Sequence, residues 1–327
     1  MPRPLEDPWL LPGLRPVLSL LSPPGRLAKL SILIYHRVLP EPDALLPGEP
    51  DASGFRWQMR LLKRHFNPLP LDEAVVRLRD GTLPARAVCV TFDDGYADNA
   101  VVALPILQEE GVQATFFIAV GYLDGGCMFN DAVIETVRQL PPGQFDLRQE
   151  GAYVRHINSD ADRVALYRDV IRNLKYLPPD ERSAGARVLA DRFGVRLPTN
   201  LMMTTEQLRG IVAAGMVVGG HTLSHPILTR VDRRTAQREM RDGKERLEEL
   251  LGQPVKLFAY PNGRPGQDYG PEHVAMTRAC GFDAAVSTAW GAAHRGTDPF
   301  QLPRFTPWDK TPRRFALRLA RNLVALT

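Results

Sequence analysis

Residues 87–95 have the sequence AVCVTFDDG, and this stretch is the strongest indication of the fold. The first six are apolar or β-branched without a charged break, which is typical of a strand buried on both faces of a parallel sheet. Asp93 and Asp94 follow this strand at once, and Gly95 permits a tight turn. The stretch therefore predicts an α/β protein with acidic side chains at the carboxyl end of a buried strand.

Further apolar runs alternate with stretches of helical spacing on both sides of this strand. The predicted strands are 30–36, 87–92, 114–120, 216–218, 256–259 and 284–286. The predicted helices are 55–78, 98–110, 205–214, 233–251 and 271–279. The polar motifs fall at strand ends, where α/β barrels place their active sites, so a barrel-like fold fits better than an open doubly wound sheet.

The domain boundaries are predicted where the alternation of strands and helices begins, is interrupted or ends. Residues 1–29 form an N-terminal extension, 30–310 the main domain and 311–327 a C-terminal tail. Between 121 and 200 the chain becomes polar and holds helical segments such as 161–177. No long linker bounds that stretch, so it is predicted to be a helical insertion that lies over one face of the domain.

The composition argues against several functional classes. The net charge of +4 is small beside 41 basic and 37 acidic residues, and no basic run is interleaved with aromatic residues, so no nucleic-acid partner is predicted. Cys89, Cys127 and Cys280 are widely spaced and odd in number, which argues against a disulfide framework or a thiolate zinc site. The oligomeric state is left open.

The two ends of the chain bear on its location. The first residues, MPRPLEDPWLLPG, carry acids and prolines where a signal peptide has a positive region and an apolar run, so a cytoplasmic location is expected. No stretch approaches the ~20 apolar residues of a spanning helix. Peripheral membrane association through 14–33 or the basic amphipathic stretch 312–326 is one interpretation, and a solvated terminal helix packed on the domain is the other.

Asp93 and Asp94 form the first candidate site. Two adjacent carboxylates at a strand end are unfavourable unless a cation lies between them, so a metal ion or an arginine is implied. The alternative is a helix N-cap, because aspartate is common at that position.

The second candidate site is GGHTLSHP at 219–226. Histidines four apart lie on one face of a helical turn, so His221 and His225 are predicted to reach one ion at ~2.1 Å. This spacing alone is often incidental, but with Asp94 it supplies two nitrogens and one carboxylate and leaves positions open for water, as in catalytic metal sites. Zinc is the expected divalent cation, although such a donor set also accepts Co, Ni, Fe or Mn.

A third candidate site follows another predicted strand, in FAYPNG at 258–263. Proline and glycine on either side of Asn262 give a rigid turn whose backbone N–H could bind an oxyanion. Without the other two sites this sequence would indicate only a turn.

The motifs TFDDG, HTLSH and the later strand-ending Pro-x-Gly, in this order, resemble the successive signatures of the polysaccharide deacetylase family, which has NodB homology and is similar to carbohydrate esterase family 4. The resemblance spans residues 32–305 and implies a distorted (β/α)7-type barrel. It also implies a metal-dependent hydrolase that removes N-acetyl groups from a sugar in a polysaccharide or its precursor. The matching positions are Asp93 for the general base, Asp94, His221 and His225 for the metal, and Tyr260, Pro261 and Asn262 for substrate binding.

The chain departs from the family pattern at the arginine that orients the base, because Ala259 occupies that position. The sequence Leu302-Pro303-Arg304-Phe305 resembles a segment of the branch that acts on exopolysaccharides. Arg304 is therefore the candidate replacement, and an exposed surface arginine is the alternative.

The family's late general-acid histidine has no match either. The exopolysaccharide branch has a strand-ending Tyr-His that Tyr35-His36 resembles, so His36 is predicted to enter the site as the acid or as an orienting group. A hydrogen-bonded core histidine is the alternative. His294 and Asp131 are weaker candidates for substrate contact.

Two other functions remain open at this point. One is a glycan-binding protein that kept the fold but has little or no turnover, and the other is a deacylase of a non-carbohydrate amide. Binding alone does not need a base beside a metal ligand, so the pair Asp93 and Asp94 favours an enzyme.

Overall fold

The computed structural model describes residues 13–147 and 154–325. The predictions that cover 1–12, 148–153 and 326–327 lie outside these residues. The strands are β1 (Leu30–Tyr35), β2 (Asn67–Pro68), β3 (Ala87–Phe92), β4 (Ala114–Ile118), β5 (Gly143–Asp146), β6 (Val154–Ile157), β7 (Val217–Gly220), β8 (Leu257–Ala259) and β9 (Ala284–Val286). The α-helices are α1 (Leu14–Leu21), α2 (Ala52–His65), α3 (Leu71–Asp80), α4 (Leu104–Glu110), α5 (Phe129–Gln139), α6 (Asp160–Leu174), α7 (Pro179–Arg192), α8 (Thr205–Ala213), α9 (Arg233–Leu251), α10 (Pro271–Ala279) and α11 (Pro312–Val324).

The main sheet is parallel and has the order β1-β3-β4-β7-β8-β9, with β2 paired to the first residues of β3. Its two outer strands are bridged by one short segment. Leu302 pairs with Val286 of β9, and Phe305 pairs with Leu33 of β1. The sheet therefore curls towards a closed barrel, and the predicted α/β barrel-like fold is confirmed.

Alternate strand residues face two different apolar layers, as the period of a strand requires. Leu30 and Ile32 of β1 belong to an inner cluster that also collects residues of β3, β4, β8 and β9. Leu33 and Tyr35 belong to the outer cluster, which the helices cover. Because both faces are buried, the strands had to be continuously apolar, and this made them recognisable in the sequence.

The predicted helix 55–78 is wrong, because α2 ends at His65, β2 follows, and α3 begins at Leu71. The break falls at Asn67-Pro68-Leu69-Pro70, where two prolines lack the backbone N–H that a continuous helix needs. A second boundary differs at 98–110, where a π-helical turn over Asn99–Ala103 precedes α4 and Pro105 stands in the first turn of α4.

The stretch predicted as an insertion holds α5, the antiparallel hairpin β5–β6, α6 and α7. These elements have an apolar cluster of their own, which includes Val133, Leu166 and Leu189, and Leu45 from the loop after β1 joins it. The N-terminal helix α1 and the tail helix α11 pack against each other beside β1. No helix in the described ranges has both the length and the apolar run needed to cross a membrane.

Candidate metal and catalytic centre

The polar residues at the carboxyl ends of the parallel strands meet in one cavity of about 220 Å³. Its walls come from the barrel and from the insertion. The cavity is lined by Ile34, His36, Asp93, Asp94, His221, His225, Asn262 and Thr288, and by Met128, Phe129, Asn130, Ile171 and Lys175 of the insertion.

Asp93 and Asp94 both face this cavity although neighbouring residues of a strand point in opposite directions. The strand ends at Phe92, and Asp94 has a φ of 76°, a left-handed conformation that a residue with a side chain rarely adopts. This turn in the backbone brings the second carboxylate to the same side as the first. Strain of this kind persists where the surrounding structure holds it, and it is common at active sites.

Asp94, His221 and His225 have the geometry of three ligands around one ion. Oδ1 of Asp94 lies 3.4 Å from Nε2 of His221 and 3.4 Å from Nε2 of His225. Ligands about 2.1 Å from a tetrahedral zinc ion are about 3.4 Å apart, so the spacing fits such an ion. Oδ1 of Asp94 is buried and has no hydrogen-bond partner among the residues that the structure describes, which a cation would explain.

The tautomer of His221 follows from its second nitrogen. Nδ1 lies 2.7 Å from the carbonyl oxygen of Ala259, which can only accept, so Nδ1 carries the hydrogen and donates it. In the neutral imidazole Nε2 therefore presents a lone pair to the cavity. When no cation is bound, burial opposes protonation of His221, but Asp93 and Asp94 outweigh it and raise the His221 pKa, which favours a proton on Nε2. A backbone carbonyl that holds the outer nitrogen in this way is the usual support of a metal-binding histidine.

The prediction that the two histidines share a helical turn is wrong. Residues 221–227 form a loop after β7, and Thr222 and His225 both have positive φ values, 66° and 54°. The two imidazoles still converge, with ring centroids 4.7 Å apart. The loop brings them together because its backbone is held from outside and not by helical hydrogen bonds.

Helix α9 supplies most of that support. The Glu239 carboxylate accepts hydrogen bonds from the backbone N–H of Leu223 at 3.0 Å, from that of Ser224 at 2.8 Å, and from the Ser224 hydroxyl at 2.7 Å. Gly243, one turn further on, lets the helix approach, since a Cβ there would lie 2.7 Å from the carbonyl carbon of Thr222. The insertion adds buried Arg182, which donates to the His225 carbonyl at 3.1 Å.

Arg304 lies against Asp93. Its two terminal nitrogens each donate to one oxygen of the carboxylate at 2.7 Å, and the Arg304 side chain is fully buried. Nε donates to the Ser287 carbonyl at 2.9 Å, which fixes the plane of the guanidinium. The alternative of an exposed surface arginine is excluded, and Asp93 is held in one orientation by a two-pronged ion pair.

The charges around the cavity keep both carboxylates ionised. Burial opposes ionisation of Asp93, but Arg304 and His221 hold its pKa below the usual value. Burial also opposes ionisation of Asp94, but His225 and His221 outweigh it and hold the Asp94 pKa well below its usual value. Burial lowers the pKa of His225 to about 3, which leaves its imidazole neutral and able to bind a cation.

His36 and Asn262 also line the cavity, as expected. His36 follows β1, and its carbonyl oxygen accepts a hydrogen bond from the Asn99 side chain at 2.9 Å. Asn262 has a φ of 59°, and its carbonyl oxygen accepts from the Thr288 hydroxyl at 2.8 Å. Within the described chain the Asn262 backbone N–H has no acceptor, so it is available to a ligand.

The structure does not bring the other predicted residues to the cavity. Tyr260 is buried in the core, stacked on Tyr269, with its hydroxyl donating to the Phe300 carbonyl at 3.1 Å. Pro261 is buried in the turn behind Asn262 and does not reach the cavity wall. Sequence proximity alone had grouped these residues with Asn262.

The two weaker candidates differ from each other in position. His294 is exposed beside Ala293, which pairs with Leu30 at the start of β1, so it lies at the end of the barrel opposite the cavity. Asp131 lies behind the cavity wall, where the Tyr96 hydroxyl hydrogen-bonds its carboxyl at 3.1 Å. Burial, with a contribution from Asp94, raises the pKa of Asp131 to about 7.

The sequence analysis missed the contribution of the insertion. Asn130 at the start of α5 and Lys175 at the end of α6 line the cavity, as does Thr288 after β9. Burial lowers the pKa of Lys175, and Asp268 partly opposes this shift. The nearby charges of Arg264 and Arg182 lower the pKa further. No motif marks these residues, and the only available signal was that the insertion directly follows strand β4, which ends at the same edge of the sheet.

Sequence comparisons point to one family. A model of the polysaccharide deacetylase family matches residues 80–142 and 188–285. YxkH of Bacillus subtilis (strain 168), described as a polysaccharide deacetylase, is 22% identical over 278 residues, which are 85% of this chain and 71% of that protein.

Two solved structures have a fold similar to that of this chain. The Streptococcus pyogenes deacetylase PplD, in complex with acetate, has a TM-score of 0.59 and 20% identity, over 91% of this chain and 99% of that chain. IcaB from Ammonifex degensii has a TM-score of 0.58 and 20% identity, over 93% and 99% of the two chains. At such identities the likeness shows a common fold.

The two segments that match the family model carry the three candidate metal ligands and the candidate base. The first contains Asp93 and Asp94, and the second contains His221 and His225. Sequence family, fold and site geometry agree, and the chain belongs to the polysaccharide deacetylase family, as a hydrolase of N-acetyl amide bonds.

Proposed function

We propose that this protein is a metal-dependent deacetylase that hydrolyses the N-acetyl group of a sugar in a polysaccharide or its precursor, with an exopolysaccharide as the favoured class. One observation carries the proposal. A carboxylate–imidazole–imidazole set of ligand geometry stands directly beside Asp93, a carboxylate that Arg304 keeps ionised and oriented. A structural metal site does not need an ionised carboxylate beside its ligands, so this arrangement favours a catalytic site.

The donor set fits a divalent ion. Asp94, His221 and His225 would hold it, with zinc the expected ion and Co, Ni, Fe or Mn compatible with the same ligands. Such an ion polarises an acetyl carbonyl and makes a water molecule more acidic.

Asp93 acts as the general base in this proposal. Its pKa is held low, so it is deprotonated at neutral pH and accepts the proton of the attacking water. Both of its oxygens are bound to Arg304, which leaves their remaining lone pairs to receive that proton in a defined direction. Arg304 is a positioning residue, because it acts through Asp93.

Two further groups complete the reaction. The free N–H of Asn262 donates to the oxyanion that develops when the carbonyl is attacked. His36, on the same cavity wall, donates a proton to the departing amine, which leaves as the free amino sugar, and acetate is released. Phe129 and Ile171 of the insertion form apolar walls that limit the water around the reacting groups.

The test combines metal content with acetate release. Purified wild-type protein should contain a divalent metal by elemental analysis and release acetate from N-acetylated glycans. Asp93→Asn should keep the metal and lose about 10²–10⁴-fold in kcat, because it removes proton transfer and not a ligand. Asp94→Asn should lose the metal itself.

Two outcomes would point to the other functions. A metal-loaded wild-type protein that binds glycans but releases no acetate from any of them would support a glycan-binding protein. Release from simple acyl amides and from no sugar would support a deacylase of non-carbohydrate amides.

We also propose that the protein associates peripherally with an anionic membrane through α1 and α11. Large apolar side chains are exposed along these neighbouring helices, with Leu20 83% and Leu317 53% exposed. Exposed arginines accompany them, and neither helix contains an acidic residue. Apolar side chains beside arginines are the pattern of helices that lie in the membrane interface. The cytoplasmic location stays a prediction.

Co-sedimentation with vesicles tests this association. Deletion of the tail is a poor test, because α11 buries Phe315, Leu319 and Leu323 in the core. The double variant Leu20→Ser, Leu317→Ser should lose binding to anionic vesicles, whereas Val76→Ser, on an exposed face of α3, should bind like wild type. Equal binding by all three proteins would overturn the proposal.

A further inference from the structure

A second cavity lies beside the catalytic centre. It has a volume of about 370 Å³, and its walls are the loop 42–51, the start of α2 and the segment 307–310. The indoles of Trp57 and Trp308 both line it, and Trp308 is 61% exposed. An indole exposed to this extent leaves apolar surface in water, which a ligand in the cavity would cover.

The two cavities share their supporting segments. The loop that follows β1 begins with His36 in the catalytic cavity and reaches Glu49 in the second one, and the Arg37 N–H donates to Glu49 at 3.3 Å. The segment that bridges β9 and β1 places Arg304 against Asp93 and, three residues later, Pro307 in the wall of the second cavity. Three residues span at most about 11 Å, so the cavities are neighbours at the same end of the barrel.

The walls of this cavity are held in place without a ligand. The Arg318 guanidinium lies 5.0 Å from the Trp308 ring centroid and pairs with Asp309 at 2.6 Å. Trp57 packs edge to face on Phe315, with centroids 5.6 Å apart. Prolines stiffen the surrounding loops, which lowers the entropy lost on binding.

The chemistry of the cavity matches a sugar ring. A pyranose has an apolar C–H face that packs on an indole and hydroxyl groups that need acceptors at its rim. Carboxylates supply those acceptors, since four acidic residues and one lysine line the cavity: Asp43, Glu49, Asp51, Asp309 and Lys310. Asp43 and Asp309 are paired with arginines, whereas Glu49 and Asp51 have no arginine in a salt bridge in the part of the chain that the structure describes. The same carboxylates disfavour a polyanionic ligand.

We propose that this cavity, the tryptophan cavity, binds a neighbouring sugar unit of the same glycan whose N-acetyl group enters the catalytic centre. The inference rests on the proposed function and deepens it, because it makes a polymer or oligomer the substrate and not a single sugar. Trp308 is the main platform, and Trp57 and the carboxylates complete the lining.

The experiment compares Trp308→Ala with Trp308→Phe on neutral N-acetylated oligosaccharides of increasing length. For wild type, kcat/KM should rise with length. In Trp308→Ala, kcat/KM should fall about tenfold on the long oligomers, because a stacking contact of about 1.4 kcal/mol corresponds to a factor of ten. On the shortest substrate its kcat/KM should stay within about twofold of wild type, which also shows that the variant folds. Trp308→Phe should recover most of the loss, because it restores an aromatic face.

A binding titration separates failure of this inference from failure of the proposed function. In the Asp93→Asn background, tryptophan fluorescence should change on addition of long oligomers, and adding Trp308→Ala should weaken that binding. If wild type releases no acetate from any glycan, the proposed function fails, and the titration still tests the cavity. Equal effects of Trp308→Ala at all lengths, or none at any length with unchanged binding, would overturn the inference.

Discussion

At the scale of single residues, Arg304 supplies the guanidinium that orients Asp93, a group that the motif around Ala259 lacks. Ala259 stands where the resembled family has an arginine, and only its carbonyl serves the site, by fixing His221. The guanidinium comes instead from the segment that bridges the sheet edges, and it reaches Asp93 across 211 residues of sequence. Geometry at the carboxylate, and not position in the chain, decides which arginine can orient Asp93.

The first prediction concerns this pair. Arg304→Lys keeps a positive charge but not the two parallel hydrogen bonds, so kcat should fall at least about tenfold while metal content stays unchanged. Arg304→Met leaves the buried Asp93 charge without a partner and should lower the free energy of unfolding by about 3–5 kcal/mol. Steady-state kinetics and denaturant unfolding measure the two effects. Full kcat in Arg304→Lys would contradict a positioning role.

The second prediction concerns the buried carboxyl of Asp131, whose pKa is raised to about 7. The folded state keeps a proton that the unfolded chain releases near pH ~4, so the free energy of unfolding should fall as pH rises from about 4 to about 7. Asp131→Asn cannot ionise and keeps an oxygen for the Tyr96 hydroxyl. It should be more stable than wild type above pH ~7, by up to about 4 kcal/mol, and should lose the advantage near pH ~4.

Denaturant unfolding of both proteins at several pH values, with chelator present, gives that comparison. The chelator matters because a bound cation would offset the charge of Asp94, which contributes to the raised pKa. Parallel stability–pH curves for wild type and Asp131→Asn would show that Asp131 titrates normally in the folded protein.

At the scale of elements, α9 is more than a covering helix, because it sets the shape of the loop that carries His221 and His225. Its Glu239 gathers two backbone N–H groups and a hydroxyl of that loop, and Gly243 gives the loop room. The histidines therefore converge without a helix of their own. This support explains how two histidines four residues apart bring their imidazoles together in a loop and not on a helix.

The third prediction tests this support with a matched pair of glycines. Gly243→Ala places a methyl group 2.7–2.9 Å from backbone atoms of Thr222 and Leu223, so the loop must shift and metal affinity should fall at least about tenfold. Gly210→Ala on α8 meets no atom within 4 Å and should stabilise the protein by up to about 1 kcal/mol through helix propensity. Metal titration and thermal unfolding measure both. Unchanged metal affinity in Gly243→Ala would show that the loop does not depend on this contact.

At the scale of the whole molecule, the site joins distant parts of the barrel. Asp94 follows β3, and His221 and His225 follow β7, with β4 between these strands. A cation shared by the three ligands would therefore tie two sections of the sheet together. Because the unfolded chain offers no such site, binding should stabilise the folded state.

The fourth prediction follows from this linkage. Zinc at about 100 times its dissociation constant should add about 2.7 kcal/mol to the free energy of unfolding of wild type and raise its Tm by several degrees. His225→Ala lacks one ligand and should show little or no shift at the same concentration. Calorimetry with and without zinc gives the comparison. Equal shifts in both proteins would place the zinc elsewhere.

Much of the fold was readable from local patterns, for a physical reason. Strands buried on both faces must be continuously apolar, so β1, β3 and β4 stood out, and their polar ends marked the edge where the site forms. Asp93, Asp94, His221 and His225 were recognisable because adjacent residues carry their motifs. The break between α2 and α3 was missed because the helical spacing of apolar residues continues across it, although Pro68 and Pro70 signal the interruption.

The remaining features depend on contacts between residues far apart in sequence. Whether Arg304 is buried against Asp93, whether Lys175 of the insertion reaches the cavity, and whether Tyr260 turns away from it are all settled by how the sheet curls and where the loops pack. Such contacts form only when the barrel closes, and no local propensity encodes them. The amino-acid pattern thus specified the strands, the candidate metal ligands and the candidate base, whereas packing selected the arginine that orients Asp93 and the residues that line the two cavities.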